Sequence, residues 1–187
     1  MGRPRPGGAG RAPAGAAPRP LRPAPALRRL SAAGTPRGAA VLADHAFLAE
    51  GLLDLAEATG EVRWRDESAA LAEAALRRFA DPAGGFFESE AADEPLPARP
   101  RSAYDGQRPA SGAVLAGVLL RLAQVTGQPQ WRPLARSTVE GFLGDLQRAP
   151  RGVETLAAVA GELLGRAPQA AAPQAPAGAA SASSGAV

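Results

Sequence analysis

Residues 46–64 read AFLAEGLLDLAEATGEVRW, and 67 positions later residues 113–131 read AVLAGVLLRLAQVTGQPQW. Ten of the 19 aligned positions are identical: Ala46/Ala113, Leu48/Leu115, Ala49/Ala116, Leu52/Leu119, Leu53/Leu120, Leu55/Leu122, Ala56/Ala123, Thr59/Thr126, Gly60/Gly127 and Trp64/Trp131. Alanine pairs carry little weight in an alanine-rich chain, so the match rests on the leucines, the Thr-Gly pair and the tryptophan. Self-similarity at a fixed period marks a repeat architecture, in which one supersecondary unit cannot bury its apolar face alone. Two clear copies are present.

Working outward, the first copy predicts a helix from near Asp44, a favoured N-cap type, to Gly60, where a C-cap needs a residue tolerant of positive φ. Phe47, Leu48, Gly51, Leu52 and Leu55 form its stripe, with Glu50, Asp54 and Glu57 opposite. A second helix is expected over about 63–79, ended by Asp81-Pro82 and Gly84-Gly85. The second copy predicts a helix over about 109–125 with Gly127 as its cap, then one over about 129–147. A fifth begins near Gly152 and carries Leu156, Val159, Leu163 and Leu164. The long connection 81–108 holds Gly85-Phe86-Phe87-Glu88, apolar enough to pair as a short strand; connections of this length are usually functional or mobile. The pattern is an all-α array of hairpins with long loops between them.

Composition divides the chain. Residues 1–43 hold eight arginines and no acid, whereas residues 44–166 hold 13 arginines against 18 acids, about −5. Residues 1–38 and 167–187 read as disordered Pro/Gly/Ala segments flanking an ordered part over 39–166. The basic segment reads first as a disordered or misannotated extension, with an arm for an anionic partner as an alternative; its prolines oppose the amphipathic helix of an organelle leader. Lysine, isoleucine and asparagine are absent. Arginine is therefore a feature of genome composition, and nucleic acid is not an expected partner. Zero cysteines exclude disulfides and thiolate metal sites, and one histidine excludes a multi-His site within one chain. No cofactor is expected. No apolar run reaches 18 residues, so no membrane span is expected, and the expected location is cytoplasmic. The abrupt change near residue 40, from acid-free sequence into a mid-array helix, is what the tail of a longer or misread gene would show.

Residues 44–64 (DHAFLAEGLLDLAEATGEVRW), 84–109 (GGFFESEAADEPLPARPRSAYDGQRP) and 113–123 (AVLAGVLLRLA) resemble a family of thioredoxin-domain-containing proteins that includes spermatogenesis-associated members. The resemblance covers about 120 residues. It implies an incomplete (α/α) toroid of about two and a half helical hairpins. The complete six-hairpin toroid is similar to those of N-acylglucosamine 2-epimerase and of glycosidases. Nothing here resembles the thioredoxin domain. The family's Ser-Gly-Asn after Pro109 is replaced by Ala110, Ser111 and Gly112, and its Glu-Asn pair by Gly117 and Val118.

In such toroids the loops entering the inner helices line a central funnel. The resemblance therefore nominates Asp44 and His45 at one inner helix, and Tyr104 and Asp105 before the next. His45 would act as general acid/base, with Asp44 or Asp105 as the second group. Tyr104, Arg99 and Arg101 would hold a small sugar-like ligand, the arginines through forked hydrogen bonds. Each residue also has a structural reading, and these come first. Asp44 reads as an N-cap, His45 as a partly exposed first-turn residue, and Asp105-Gly106 as a turn. Arg99 and Arg101 read as solvated charges, Trp64 and Trp131 as hairpin packing, and Phe86 and Phe87 as covers over helix ends. The expectation is thus a truncated family member without autonomous catalysis, with a carbohydrate-directed enzyme or remnant and a basic-armed interaction module as alternatives. Open array ends predict self-association or a partner supplying the missing hairpins.

Overall fold

A computed structural model of the chain describes residues 27–32, 35–91 and 98–165, with side chains undescribed at 30–36. The expectations of disordered ends fall on 1–26 and 166–187, outside the described residues, and so does most of the basic arm.

Among the described residues six α-helices carry the fold: α1 (Leu42–Thr59), α2 (Val62–Phe79), α3 (Ser111–Thr126), α4 (Trp131–Gly141), α5 (Leu143–Arg148) and α6 (Glu154–Leu163). The fold is all-α apart from one small β-hairpin. Helices α1, α3 and α6 form a row. α2 packs on α1 and reaches α3, while α4 packs on α3 and reaches α6. The row is parallel, because its two ends are cross-linked separately. At the C-terminal ends Arg121 of α3 binds Asp54 and Glu57 of α1, and Gln124 of α3 meets Glu162 of α6. At the N-terminal ends one carboxylate, Asp105, binds the starts of both α3 and α6.

The repeat is visible in atomic detail at the helix ends. Gly60 and Gly127 take φ values of 71° and 66°, and their N–H groups donate to Ala56 O and Ala123 O. Thr59 and Thr126 each donate a hydroxyl back to the carbonyl four residues earlier, at 2.7 and 2.6 Å. Each also accepts the N–H two residues on, at 3.2 and 3.3 Å. The Thr-Gly pair therefore satisfies groups that a helix terminus leaves open, identically in both copies. Trp131 is buried; Trp64 is half-buried, with the Arg63 guanidinium 4.0 Å over its ring.

Four expectations need correction. Residues 28–32 and 35–39 are not without structure: β1 (Arg28–Ala32) and β2 (Thr35–Ala39) pair antiparallel, Leu30 opposite Arg37. Leu27 packs on the helical core and Ala40 is buried, which ties the outer ends of both strands to the helices. Helix α1 starts earlier than predicted, its N-cap being Val41 rather than Asp44. The helix expected over 129–147 is broken at Phe142, φ −122°. A Cβ on Gly84 would lie 2.6 Å from Ser137 O, and one on Gly141 would lie 2.6 Å from Gly84 O. The 81–85 loop thus rests its backbone directly on the end of α4. Finally, Gly85–Glu88 forms no strand, only the single bridge Ala80–Phe86. Phe86 itself is buried under the start of α3, against Gly112, as the cover reading predicts.

Candidate functional site

The nominated residues gather at one end of the bundle, where α1, α3 and α6 begin and α2 ends. They form three separate bonding clusters.

At the start of α1, Asp44 occupies the third helical position. Its Oδ2 accepts the Val41 N–H at 2.9 Å, and Arg29 Nε lies 3.9 Å away. It serves the helix start from inside rather than as the N-cap. His45 is buried, 1% exposed, and not a partly exposed residue. Its ring Nδ1 lies 3.1 Å from Val41 O. A carbonyl only accepts, so this contact is a hydrogen bond when Nδ1 carries the proton. The imidazole meets Phe79 edge-on at 5.2 Å, which ties the start of α1 to the end of α2.

Between α3 and α6, Asp105 has both oxygens occupied. Oδ1 accepts the Ala110 N–H at 2.7 Å, and Oδ2 accepts the Thr155 N–H at 2.8 Å. Its own N–H donates to Gly152 O at 2.8 Å. One carboxylate therefore satisfies two helix starts, where the macrodipoles also favour its charge. The chain bends at Gly106, whose N–H donates to Arg108 O at 3.1 Å. Tyr104 is exposed at 66%, its ring edge lying over Gly152, where a Cβ would come within 2.6 Å of it.

The arginines are not solvated charges. Arg99 donates to Ser89 O and to Arg78 O near the C-terminal end of α2, and its guanidinium lies 4.0 Å over Phe87. Arg101 Nη1 pairs with Asp81 at 2.8 Å, where the Asp81 side chain is only 9% exposed, and Nη2 donates to Gly84 O at 2.6 Å. Its guanidinium also lies 4.9 Å over Phe142. These forks bind carbonyls of the long connection and hold it against the helix ends. The Arg101 Nε finds no partner among the described residues.

One residue at this end was not singled out in the sequence. The Glu88 backbone bridges two segments: its carbonyl accepts the Leu42 N–H at 3.1 Å, and its N–H donates to Pro100 O at 2.9 Å. Its side chain lies by the Ser111 hydroxyl and near Arg108. Burial pushes the Glu88 carboxyl above its ordinary value, while Ser111 and Arg108 pull the other way. The available signal was the loop stretch Gly85-Phe86-Phe87-Glu88, where an acid follows two aromatics that must pack.

A second charged group lies farther along the row. Burial and the neighbouring Asp54 raise the Glu50 carboxyl, opposed by Arg121. Burial disfavours the Arg121 charge, but hydrogen bonds to Glu57 and Asp54 outweigh it and push the guanidinium above its ordinary value. Among the described residues no three metal-ligating side chains lie together, and no helix is long and apolar enough to cross a membrane. A shallow depression between Gly127 and Arg136 lies at the opposite end and touches none of the nominated residues.

Comparison with known proteins follows the same segment. The chain is 38% identical over 113 residues to spermatogenesis-associated protein 20 of Mus musculus. It is 36% identical over 111 residues to the proteins of that name from Rattus norvegicus and Homo sapiens. Each match covers 58% of this chain and 14% of the relative, so the chain corresponds to a small section of a much longer protein. No family profile matches it.

Proposed function

We propose that the described helices are a section of an α/α toroid of the kind implied by the thioredoxin-domain-containing family, and that this section supplies scaffold without catalysis of its own. The similarity to spermatogenesis-associated protein 20 and the parallel row of α1, α3 and α6, with α2 and α4 outside it, support the first half. The observation that carries the second half is Asp105. Each Asp105 oxygen accepts an N–H from a helix start, a structural task that by itself accounts for a carboxylate at this position. Arg99, Arg101 and Asp44 are likewise engaged with backbone groups or with each other's loops.

A second reading is favoured by Glu88. A half-buried carboxyl held above its ordinary value, between the starts of two parallel helices, suits proton donation to a sugar oxygen. Titration calorimetry of the intact chain with N-acetylglucosamine and maltose at millimolar concentration separates the two. The scaffold reading expects no saturable heat. Saturable heat that Glu88→Gln removes, with helical content unchanged, would replace it with the carbohydrate-directed reading.

A further inference from the structure

Residues 28–31 read Arg-Arg-Leu-Ser, and Ser31 is the one serine of residues 1–38. Two guanidinium groups, two and three positions before a hydroxyl, form the charge pattern by which protein kinases with an acidic substrate cleft select their serines. So short a pattern arises by chance in an arginine-rich chain, and the fold decides which copies of it stay readable.

Six serines and threonines have an arginine within the three positions before them: Ser31, Ser68, Ser102, Ser111, Ser137 and Thr138. Two of these, Ser31 and Ser102, have a pair of arginines there. Ser68, Ser111 and Thr138 are buried, and Ser137 is half-buried beside a single arginine. Ser102 is exposed, but its hydroxyl accepts the Tyr104 N–H at 3.1 Å, and both of its arginines are committed. Arg99 donates to Ser89 O and Arg78 O, and Arg101 is bound to Asp81 and to Gly84 O. A kinase reading Ser102 has to undo both clasps of the long connection.

The pattern at Ser31 stands differently. Arg28 and Arg29 are exposed. Arg28 makes no ion pair among the described residues, and Arg29 has one distant partner, Asp44 at 3.9 Å, with its own side chain 48% exposed. The backbone suits a kinase cleft as well, because acceptor segments bind there extended and β1 is extended already. β1 pairs with β2 alone among the described residues, which leaves one strand edge open. Opposite Ser31 stands Pro36, which brings no N–H to the ladder. A two-stranded hairpin is marginal by itself, so its turn end separates at little cost.

We propose that Ser31 is a phosphorylation site for a serine/threonine kinase that recognises arginine. The Ser31 hydroxyl oxygen bonds to the γ-phosphorus of a magnesium-bound nucleoside triphosphate carried by the kinase. The bond from that phosphorus to the bridging oxygen breaks, the nucleoside diphosphate leaves, and the hydroxyl proton passes to the kinase's base. The phosphate adds a charge of about −1.5 to −2 to a segment, residues 1–43, that otherwise holds eight arginines and no acid. Ser31 and Arg29 are two apart on β1 and belong to one face of the hairpin, so the phosphate competes with Asp44 for the Arg29 guanidinium. The inference is independent of the scaffold and carbohydrate readings.

The full chain, incubated with γ-labelled magnesium ATP and the catalytic subunit of cyclic-AMP-dependent protein kinase, tests it. Label approaching one phosphate per chain is expected, placed at Ser31 by peptide fragmentation and absent from Ser31→Ala. The double variant Arg28→Ala/Arg29→Ala is expected to slow labelling about tenfold or more, as the loss of charge-assisted contacts does. Its helical circular dichroism is expected to be unchanged, both arginines being exposed. A chain that takes up no label, label at Ser102 or another residue as fast as at Ser31, or a Ser31 rate indifferent to the double variant overturns the proposal.

Discussion

Removing the Asp105 carboxylate is expected to destabilise two helices at once. Asp105→Ala deletes the acceptor for the Ala110 N–H at 2.7 Å and for the Thr155 N–H at 2.8 Å. A lost helix-start acceptor costs about 1 kcal/mol, and hydrogen bonds to a charged group lie in the range of about 1.5–3 kcal/mol. Ala110 is buried and Thr155 half-buried, so water replaces the acceptor only in part, and the expected loss is about 2–4 kcal/mol. For a folded part of this size each kcal/mol moves the melting temperature by roughly 3–5 °C, giving a drop on the order of 10 °C. Asp105→Asn keeps one acceptor oxygen but turns the other position into a donor, so about half of that loss is expected. Thermal melts followed by circular dichroism, with Asp66→Ala as an exposed ion-pair control, read all three. The control is expected to change stability by less than about 0.5 kcal/mol. A melting temperature for Asp105→Ala indistinguishable from that of the control would refute the argument that this carboxylate holds the starts of α3 and α6.

Other expectations follow from the same contacts. Arg101→Met leaves the Asp81 carboxylate, 9% exposed, without its cation and frees the Gly84 carbonyl; urea denaturation should show a loss of about 2–3 kcal/mol, reduced from the fully buried case because Arg101 is partly exposed. Glu88 has a folded-state pKa above its unfolded value, so the folded form binds the proton more tightly. Its contribution is fully present below the unfolded value near 4.5 and is lost as pH rises through the raised folded value. Glu88→Gln should therefore gain stability relative to wild type between those limits, and parallel melting curves across that pH range would contradict it. Arg121→Met removes the link between α3 and the exposed Asp54 and Glu57; the expected loss is at most about 1 kcal/mol and smaller in high salt.

How much of this was legible in the sequence depends on where each residue's partner lies. The Thr-Gly pairs could be read because their bonds are local: Thr59 and Thr126 bind within four residues of themselves. The helical stripes were legible for the same reason. The break after Gly141 was not, because its cause is a distant backbone, that of Gly84. Arg99 and Arg101 looked like loop charges because their acceptors include main-chain carbonyls, which leave no residue-type signature. Asp44 carried an ambiguity that sequence cannot resolve, since a carboxylate serves a helix start from the cap or from the third position. His45 was expected to be partly exposed because the ring of Phe79, which covers it, comes from the end of the next helix. Glu88 was overlooked within a quoted motif, since only the fold brings it to Ser111.

The central claim is that the two sequence copies fold alike and that the first encloses the second. The most direct measurement compares one substitution at equivalent sites, Leu115→Ala and Leu48→Ala, by chemical denaturation at high dilution. Leu115 is 0% exposed and Leu48 is 44% exposed. Truncating the enclosed leucine is expected to cost about 2–5 kcal/mol and truncating the open one less than about 1 kcal/mol. Equal costs at the two positions would contradict the account.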